Sequence, residues 1–239
     1  MLCQLNISHK FRSLNFDKRK KKISFIIFHY TETKNLDKAI KLLTDETRRV
    51  SAHYIIDYNG DVYCLVDLDK RAWHAGESMW ENSKDMNSRS IGIEIVYPGE
   101  NTNKNYDNRQ IKSLIELSKE LKDKFKISNS KILGHSDIAP NRKIDPGIYF
   151  PWRLLEKESI GLWAKDRIDN STLNDKEYSL FLNNLKKFGY PYIRKNDTRK
   201  KQMLVIKNFH RHHLPQMVNS SPTKSSYYKS IDLLKLKNN

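Results

Sequence analysis

Two cysteines in 239 residues are too few for a disulfide framework. Cys3 stands in a polar leader and Cys64 in a strand-like run, and no CxxC pair offers a thiolate metal site. This scarcity leans toward a reducing compartment. No stretch approaches 18 apolar residues, so no transmembrane helix is expected. The first 20 residues contain His9, Lys10, Arg12 and Asp17 and lack a continuous apolar segment, so no secretory leader is expected. A cytoplasmic location is the resulting expectation, with periplasm or cell envelope as the alternative. Neither a GxGxxG after a first strand nor a GxxxxGK[ST] occurs, which argues against dinucleotide and P-loop sites. Acidic residues are in deficit, 28 against 44 Lys and Arg, for a formal charge of +16. That charge suits a polyanion, whether nucleic acid, anionic lipid or an anionic cell-wall polymer, or it is a solvated lysine surface. Few lysine runs are interleaved with aromatics as a stacking platform would require, so specific nucleic-acid recognition is not expected. Monomer and weak dimer both stay open.

What is present is a mixture of strand and helix patterns. Residues 1–22 read as an N-terminal arm. Ile23 to Phe28 is nearly all apolar and β-rich, the signature of a buried central strand, and it delivers His29 at its end. Leu36 to Thr47 has helical spacing. Asn59-Gly60 between two β-rich runs predicts a hairpin. Residues 77–88 look like an excursion from the core. From Ser90 to Val96, Ile91, Ile93 and Ile95 face one way, Gly92 and Glu94 the other. Asp107 to Lys126 is an amphipathic helix, and Pro151 suits the first turn of another. The pattern predicts an α/β fold with a mixed β-sheet covered by helices. Residues 23–164 form the expected main domain and 165–172 a linker. Residues 173–239 form a small C-terminal three-helix domain, with apolar stripes at Tyr178, Phe181 and Leu185, then Val205 and Phe209, then Ile231 and Leu234.

The chemistry concentrates in Gly134-His135-Ser136-Asp137-Ile138-Ala139-Pro140 and Lys143-Ile144-Asp145-Pro146-Gly147. Catalytic zinc commonly takes three protein ligands and keeps one position for water. His29, His135 and Asp145 are the candidate ligands. Asp145 alone would equally suit an Asx-turn. Glu94 is either an exposed-face carboxylate or a general base held on a stiff strand. Lys143 is either one more solvated lysine or a cation that stabilises a developing oxyanion. His53 and His74 either line the cleft or act from behind it. Trp73 and Trp80 either offer an apolar wall to a sugar ring or are buried aromatics. His210, His212 and His213 share one helix end without an acidic partner in sequence and read as surface or interface residues.

Several segments form an ordered set: Phe28-His29-Tyr30-Thr31, Ser51-Ala52-His53-Tyr54, Trp73-His74-Ala75-Gly76, Ile91-Gly92-Ile93-Glu94 and the Gly134–Gly147 stretch. Across roughly residues 23–160 this set resembles the zinc-dependent N-acetylmuramoyl-L-alanine amidases of the type shared with peptidoglycan recognition proteins and phage amidases. The resemblance implies a mixed, mainly parallel β-sheet flanked by helices, zinc at His29, His135 and Asp145, a base at Glu94 and an intermediate-stabilising role for Lys143. His53, Trp73 and His74 become candidate substrate-binding residues. The implied reaction cuts the amide between the lactyl group of N-acetylmuramic acid and L-alanine, in muropeptides, 1,6-anhydro forms included, or in intact murein. Some phage-type members carry tyrosine where this chain has Ala52, which puts more of the work on Glu94. The tail resembles a three-helix peptidoglycan-binding module through Leu185–Tyr190 and Val205–Pro215. It reads Val218-Asn219-Ser220-Ser221-Pro222 where a Gly-x-x-Asp turn is usual. A non-catalytic muropeptide-binding module is the competing expectation.

Overall fold

The computed structural model describes residues 5–194 and 196–238. Cys3 lies outside the described residues. Six strands form the main sheet: β1 (Ile7–Ser8), β3 (Phe25–Tyr30), β4 (Tyr54–Ile56), β5 (Val62–Cys64), β7 (Ser90–Ile95) and β8 (Ile132–Gly134). Their order is β1-β5-β4-β7-β3-β8, and every neighbouring pair is parallel except the β4–β5 hairpin. The sheet is therefore mixed, as the pattern predicts, and mainly parallel, as the resemblance implies. The hairpin closes where Gly60 adopts a φ of 89° and donates its N–H to Asp57 O at 2.9 Å. A side chain would be strained at that φ.

Residues 5–22 are built into the molecule rather than hanging off it. Ile7 and Ser8 extend the sheet beside β5. β2 (Phe16–Lys18) pairs with β6 (Lys70–Ala72) in a small second sheet. Arg19, one step on, inserts its guanidinium among the carbonyls of Leu68, Ser88 and Ser90. Strands of two and three residues leave no periodicity to read, so pairing with distant partners alone creates them.

The alternation along the strands sets two faces. Ile91, Ile93 and Ile95 join Ile26, Phe28, Tyr54 and Ile56 on one, under α3 (Asn108–Phe125) and α5 (Trp152–Lys157). A capping box at Asp107 and Gln110 starts α3, and its Leu114, Leu117 and Leu121 stripe is buried. The opposite face is covered in two parts. α1 (Leu36–Thr44) buries Ala39 and Leu43 over Ile55 and Val96. Phe25, Ile27 and Leu133 pack with α6 (Asp175–Phe188), α7 (Arg199–His213) and α8 (Lys224–Asn238). Gly189 caps α6 and Asn174 opens it with a capping box.

The segment 77–88 departs from expectation. Trp80 and Met86 are both 0% exposed and belong to the same apolar cluster as the C-terminal helices. Trp80 meets Phe188 and Tyr190 edge-on at 5.8 and 5.0 Å. α2 (Met86–Arg89) follows a left-handed Asp85 and leads straight into β7. Three apolar residues, Met79, Trp80 and Met86, give no periodic signal in this polar stretch, although the last two are core.

Candidate metal centre

His29 and Glu94 are register partners on parallel strands β3 and β7, so both side chains stand on the same face. His135 follows β8 directly and opens α4 (His135–Ile138), a single helical turn. Asp145 is tied back to that turn through its carbonyl, which accepts Ser136 N–H at 2.8 Å. The site thus sits at the carboxyl ends of three parallel strands, where α/β sheets place their ligands.

Three donor atoms converge there. His29 Nδ1 lies 3.0 Å from His135 Nδ1 and 3.0 Å from Asp145 Oδ2, and the last pair is 3.1 Å apart. The proton positions follow from the partners. Met86 O accepts the Ser90 hydroxyl, so Ser90 Oγ accepts from His74 Nε2–H at 3.2 Å. His74 Nδ1 then accepts from His29 Nε2–H at 3.0 Å, leaving a lone pair on His29 Nδ1. His135 Nε2–H donates to Ala75 O at 3.1 Å and leaves a lone pair on its own Nδ1. Burial, reinforced by the neighbouring His135, pushes His29 down to about 4 and keeps the ring neutral. Burial also holds His74 well below the usual histidine range.

Two lone pairs and a carboxylate oxygen thus face one another without a proton between them, an arrangement that calls for a cation. Zinc bonds of 2.0–2.1 Å give tetrahedral edges of about 3.3 Å. The observed edges come within a few tenths of that, and all three residues are buried. The set fits zinc, and the hydrogen bonds behind both imidazoles fix the ligating tautomers. A second group of metal-type side chains, His9, Cys64 and Asp67, does not fit. Arg12 occupies its centre, with hydrogen bonds to Asp67 and His9 and a 4.0 Å contact to Cys64.

Glu94 is 8% exposed, and its Oε2 has no hydrogen-bond partner among the described residues. Burial pushes its carboxyl up to about 8; Asp145 pushes the same way and Lys143 pulls it back. A bound dication would also pull it back. The cleft over the site has a volume of about 390 Å³ and is lined by His29, His135, His74, Glu94, Lys143, Asp145 and Arg48 among others. A pocket of about 510 Å³ between residues 76–85 and 186–194 is larger but touches none of the three donors.

The remaining candidates fall in different places. His74 stands directly behind His29. His53 is one layer deeper and fully buried, accepting Gly92 N–H at 3.0 Å and touching Arg19 at 2.7 Å. Trp73 is half-buried under Arg49 at 5.6 Å; neither it nor His53 lines the cleft. His210, His212 and His213 are buried between α7 and the rest of the molecule, and His212 bonds Asp137 at 2.8 Å. The acidic partner absent from their local sequence is supplied from 75 residues away. Sequence reading missed Ser90, Gly92 as a packing site and Asp137. An isolated glycine within a strand is itself a signal of close approach, and here the approaching group is the His74 ring.

An α/β sheet carrying a buried His₂Asp set beside an unpartnered glutamate defines a zinc hydrolase. The sequence profile of the N-acetylmuramoyl-L-alanine amidases matches residues 19–148, and the chain belongs to this family. The N-acetylmuramoyl-L-alanine amidase AmiD of Escherichia coli is 32% identical over 217 residues, covering 83% of this chain and 77% of AmiD. The 1,6-anhydro-N-acetylmuramyl-L-alanine amidase AmpD of Haemophilus influenzae is 42% identical over 105 residues, covering 44% of this chain and 55% of AmpD. Among solved structures, AmiD from E. coli with the substrate anhydro-N-acetylmuramic acid-L-Ala-D-γ-Glu-L-Lys superposes with a TM-score of 0.80. It covers 92% of each chain at 29% identity. AmpDh3 from Pseudomonas aeruginosa superposes at 0.78, covering 92% of this chain and 94% of its own, with 26% identity. The protein is a zinc-dependent amidase acting on the bond between N-acetylmuramic acid and L-alanine in peptidoglycan or muropeptides. No helix among the described residues is long and apolar enough to cross a membrane.

Proposed function

We propose that His29, His135 and Asp145 hold the zinc, that Glu94 is the general base and acid, and that Lys143 stabilises the charge that develops on the scissile carbonyl oxygen. Bound zinc supplies Lewis acidity, polarising the carbonyl and acidifying water. Glu94 takes the proton from the attacking water as the new C–O bond forms. It then delivers that proton to the departing L-alanyl nitrogen as the C–N bond breaks. Its place on β7, opposite His29 and among buried neighbours, keeps the carboxylate aimed at the reacting atoms without spending conformational freedom. The Lys143 ammonium lines the same cleft and brings positive charge to the forming oxyanion. His74 fixes the His29 tautomer.

The observation that carries this reading is the unpartnered Oε2 of Glu94 beside the three convergent donors. A buried carboxylate oxygen without a partner costs stability, and a catalytic role accounts for its presence. The substrates are muropeptides, the 1,6-anhydro forms among them. The full-length likeness to AmiD solved with an anhydro-muropeptide substrate supports this choice. Glu94→Ala tests the assignment: zinc and substrate binding stay, while turnover falls by 10²- to 10⁴-fold. Turnover within twofold of the parent would remove Glu94 from its role. Parallel assays on soluble anhydro-muropeptide and intact sacculi test the substrate, with faster release expected from the former.

A further inference from the structure

The loop from Gly134, the last residue of β8, to Ile148 carries two of the three zinc donors, yet its only further regular structure is the single turn of α4. Much of its support comes from the C-terminal helices. Asp137 is the node and is 0% exposed. Its Oδ2 accepts Gly134 N–H at 2.8 Å, inside the loop, and His212 Nδ1–H at 2.8 Å, from α7. Its Oδ1 accepts the Tyr190 hydroxyl at 2.6 Å. Asn208 Nδ2 donates to Pro140 O at 2.7 Å. Arg211 grips Glu100 through contacts of 2.8–3.2 Å, and Glu100 Oε2 accepts Ile148 N–H at 3.1 Å. Four residues beyond position 189 thus reach both ends and the middle of the ligand loop. The His212 ring is itself clamped, stacked on Trp152 at 3.7 Å.

We propose that Tyr190 and His212 are positioning residues for zinc: through Asp137 they hold His135 and Asp145 where the metal needs them. This rests on the reading that those two residues are ligands. Asp137 lies two residues from His135 and pins the amide of the glycine before it. A buried carboxylate saturated by charge-assisted hydrogen bonds is a stiff joint. Removing one donor leaves it under-solvated, and the local relief is for Asp137, and the turn with it, to move. The contacting side of α7 faces inward, so this work of the C-terminal helices is intramolecular.

The test uses the full chain with Tyr190→Phe, which removes one hydroxyl, and His212→Leu, which removes the N–H. His212→Asn places an amide N–H near the Nδ1 position and should rescue. Tyr178→Phe is the matched control, since its hydroxyl bonds Gln202 at 2.8 Å within the C-terminal helices. Zinc affinity is read by competition with a chromophoric chelator, and site geometry by the visible spectrum of the cobalt form. Tyr190→Phe and His212→Leu are expected to bind zinc about 10-fold more weakly or worse, with altered cobalt bands. His212→Asn and Tyr178→Phe should stay near the parent. Zinc affinity within twofold of the parent for Tyr190→Phe overturns the proposal, as does an equal loss in Tyr178→Phe. His135→Ala separates the two levels: if it binds zinc like the parent, the ligand assignment itself fails.

Discussion

Replacing Gly92 by alanine perturbs the metal site without touching a ligand. Gly92 lies in β7 with ordinary strand geometry, so the backbone accepts alanine. The obstacle is the His74 ring. An added Cβ would lie 2.3 Å from its Cγ and 2.6 Å from its Cδ2 and Nδ1. Carbon atoms in good contact sit about 3.5–4.0 Å apart, so the ring must retreat by roughly 1 Å. That retreat breaks the 3.0 Å bond to His29 Nε2 and the 3.2 Å bond to Ser90, the two contacts that fix the His29 tautomer. Losing such a partner behind a metal ligand typically costs 10- to 100-fold in affinity or activity, about 1.4–2.7 kcal/mol. Overpacking adds about 1–3 kcal/mol of lost stability. Chelator competition measures the first quantity and urea unfolding of the metal-free protein the second. A Gly92→Ala protein that binds zinc and turns over substrate within twofold of the parent would refute the chain of contacts from β7 through His74 to His29.

Two more outcomes follow from the same geometry. Lys143→Ala should lower kcat by more than it raises KM, because the ammonium acts on charge absent from the ground state; a change confined to KM would assign Lys143 to uniform binding. His210 is 0% exposed, donates Nδ1–H to Met217 O and accepts the Ser226 hydroxyl, and burial pushes it down to about 4. Its folded value lies below its unfolded one, so the unfolded chain binds the extra proton and stability falls as the pH drops below about 6.5. Between pH 7 and pH 5 this one group costs about 2 kcal/mol. In urea melts of metal-free protein, His210→Gln should shrink the difference between those two pH values by that amount; an unchanged difference would contradict the assignment.

The strands and helices that carry function were legible because their patterns are long or their punctuation is strong. Phe25 to Tyr30 is a nearly continuous apolar run, and Ser90 to Ile95 and Asn108 to Phe125 each repeat a period over six residues or more. Asn59-Gly60 announced its hairpin. The convergent donor set was legible because His29 ends a buried run and His135 and Asp145 stand in one Pro- and Gly-rich segment. What stayed hidden depends on contacts between distant positions. The leader's strands are two and three residues long and exist only through β5 and β6. Trp80 is core because Gly189 and Tyr190 arrive from over a hundred residues away. His212 looked unpaired because Asp137, its partner, is not a sequence neighbour. His53 and His74 look equivalent in sequence, and the side chains around them place His74 behind His29 and His53 a layer deeper.

The most direct test of zinc-dependent amide cleavage is mass analysis of a disaccharide-peptide digest, run with the native enzyme, after chelation, and after zinc is restored. The expected products are an intact peptide beginning with L-alanine and a sugar bearing a free lactyl carboxylate, absent after chelation and recovered with zinc. Cleavage at any other bond, or the same products at an unchanged rate in the chelated protein, would contradict it.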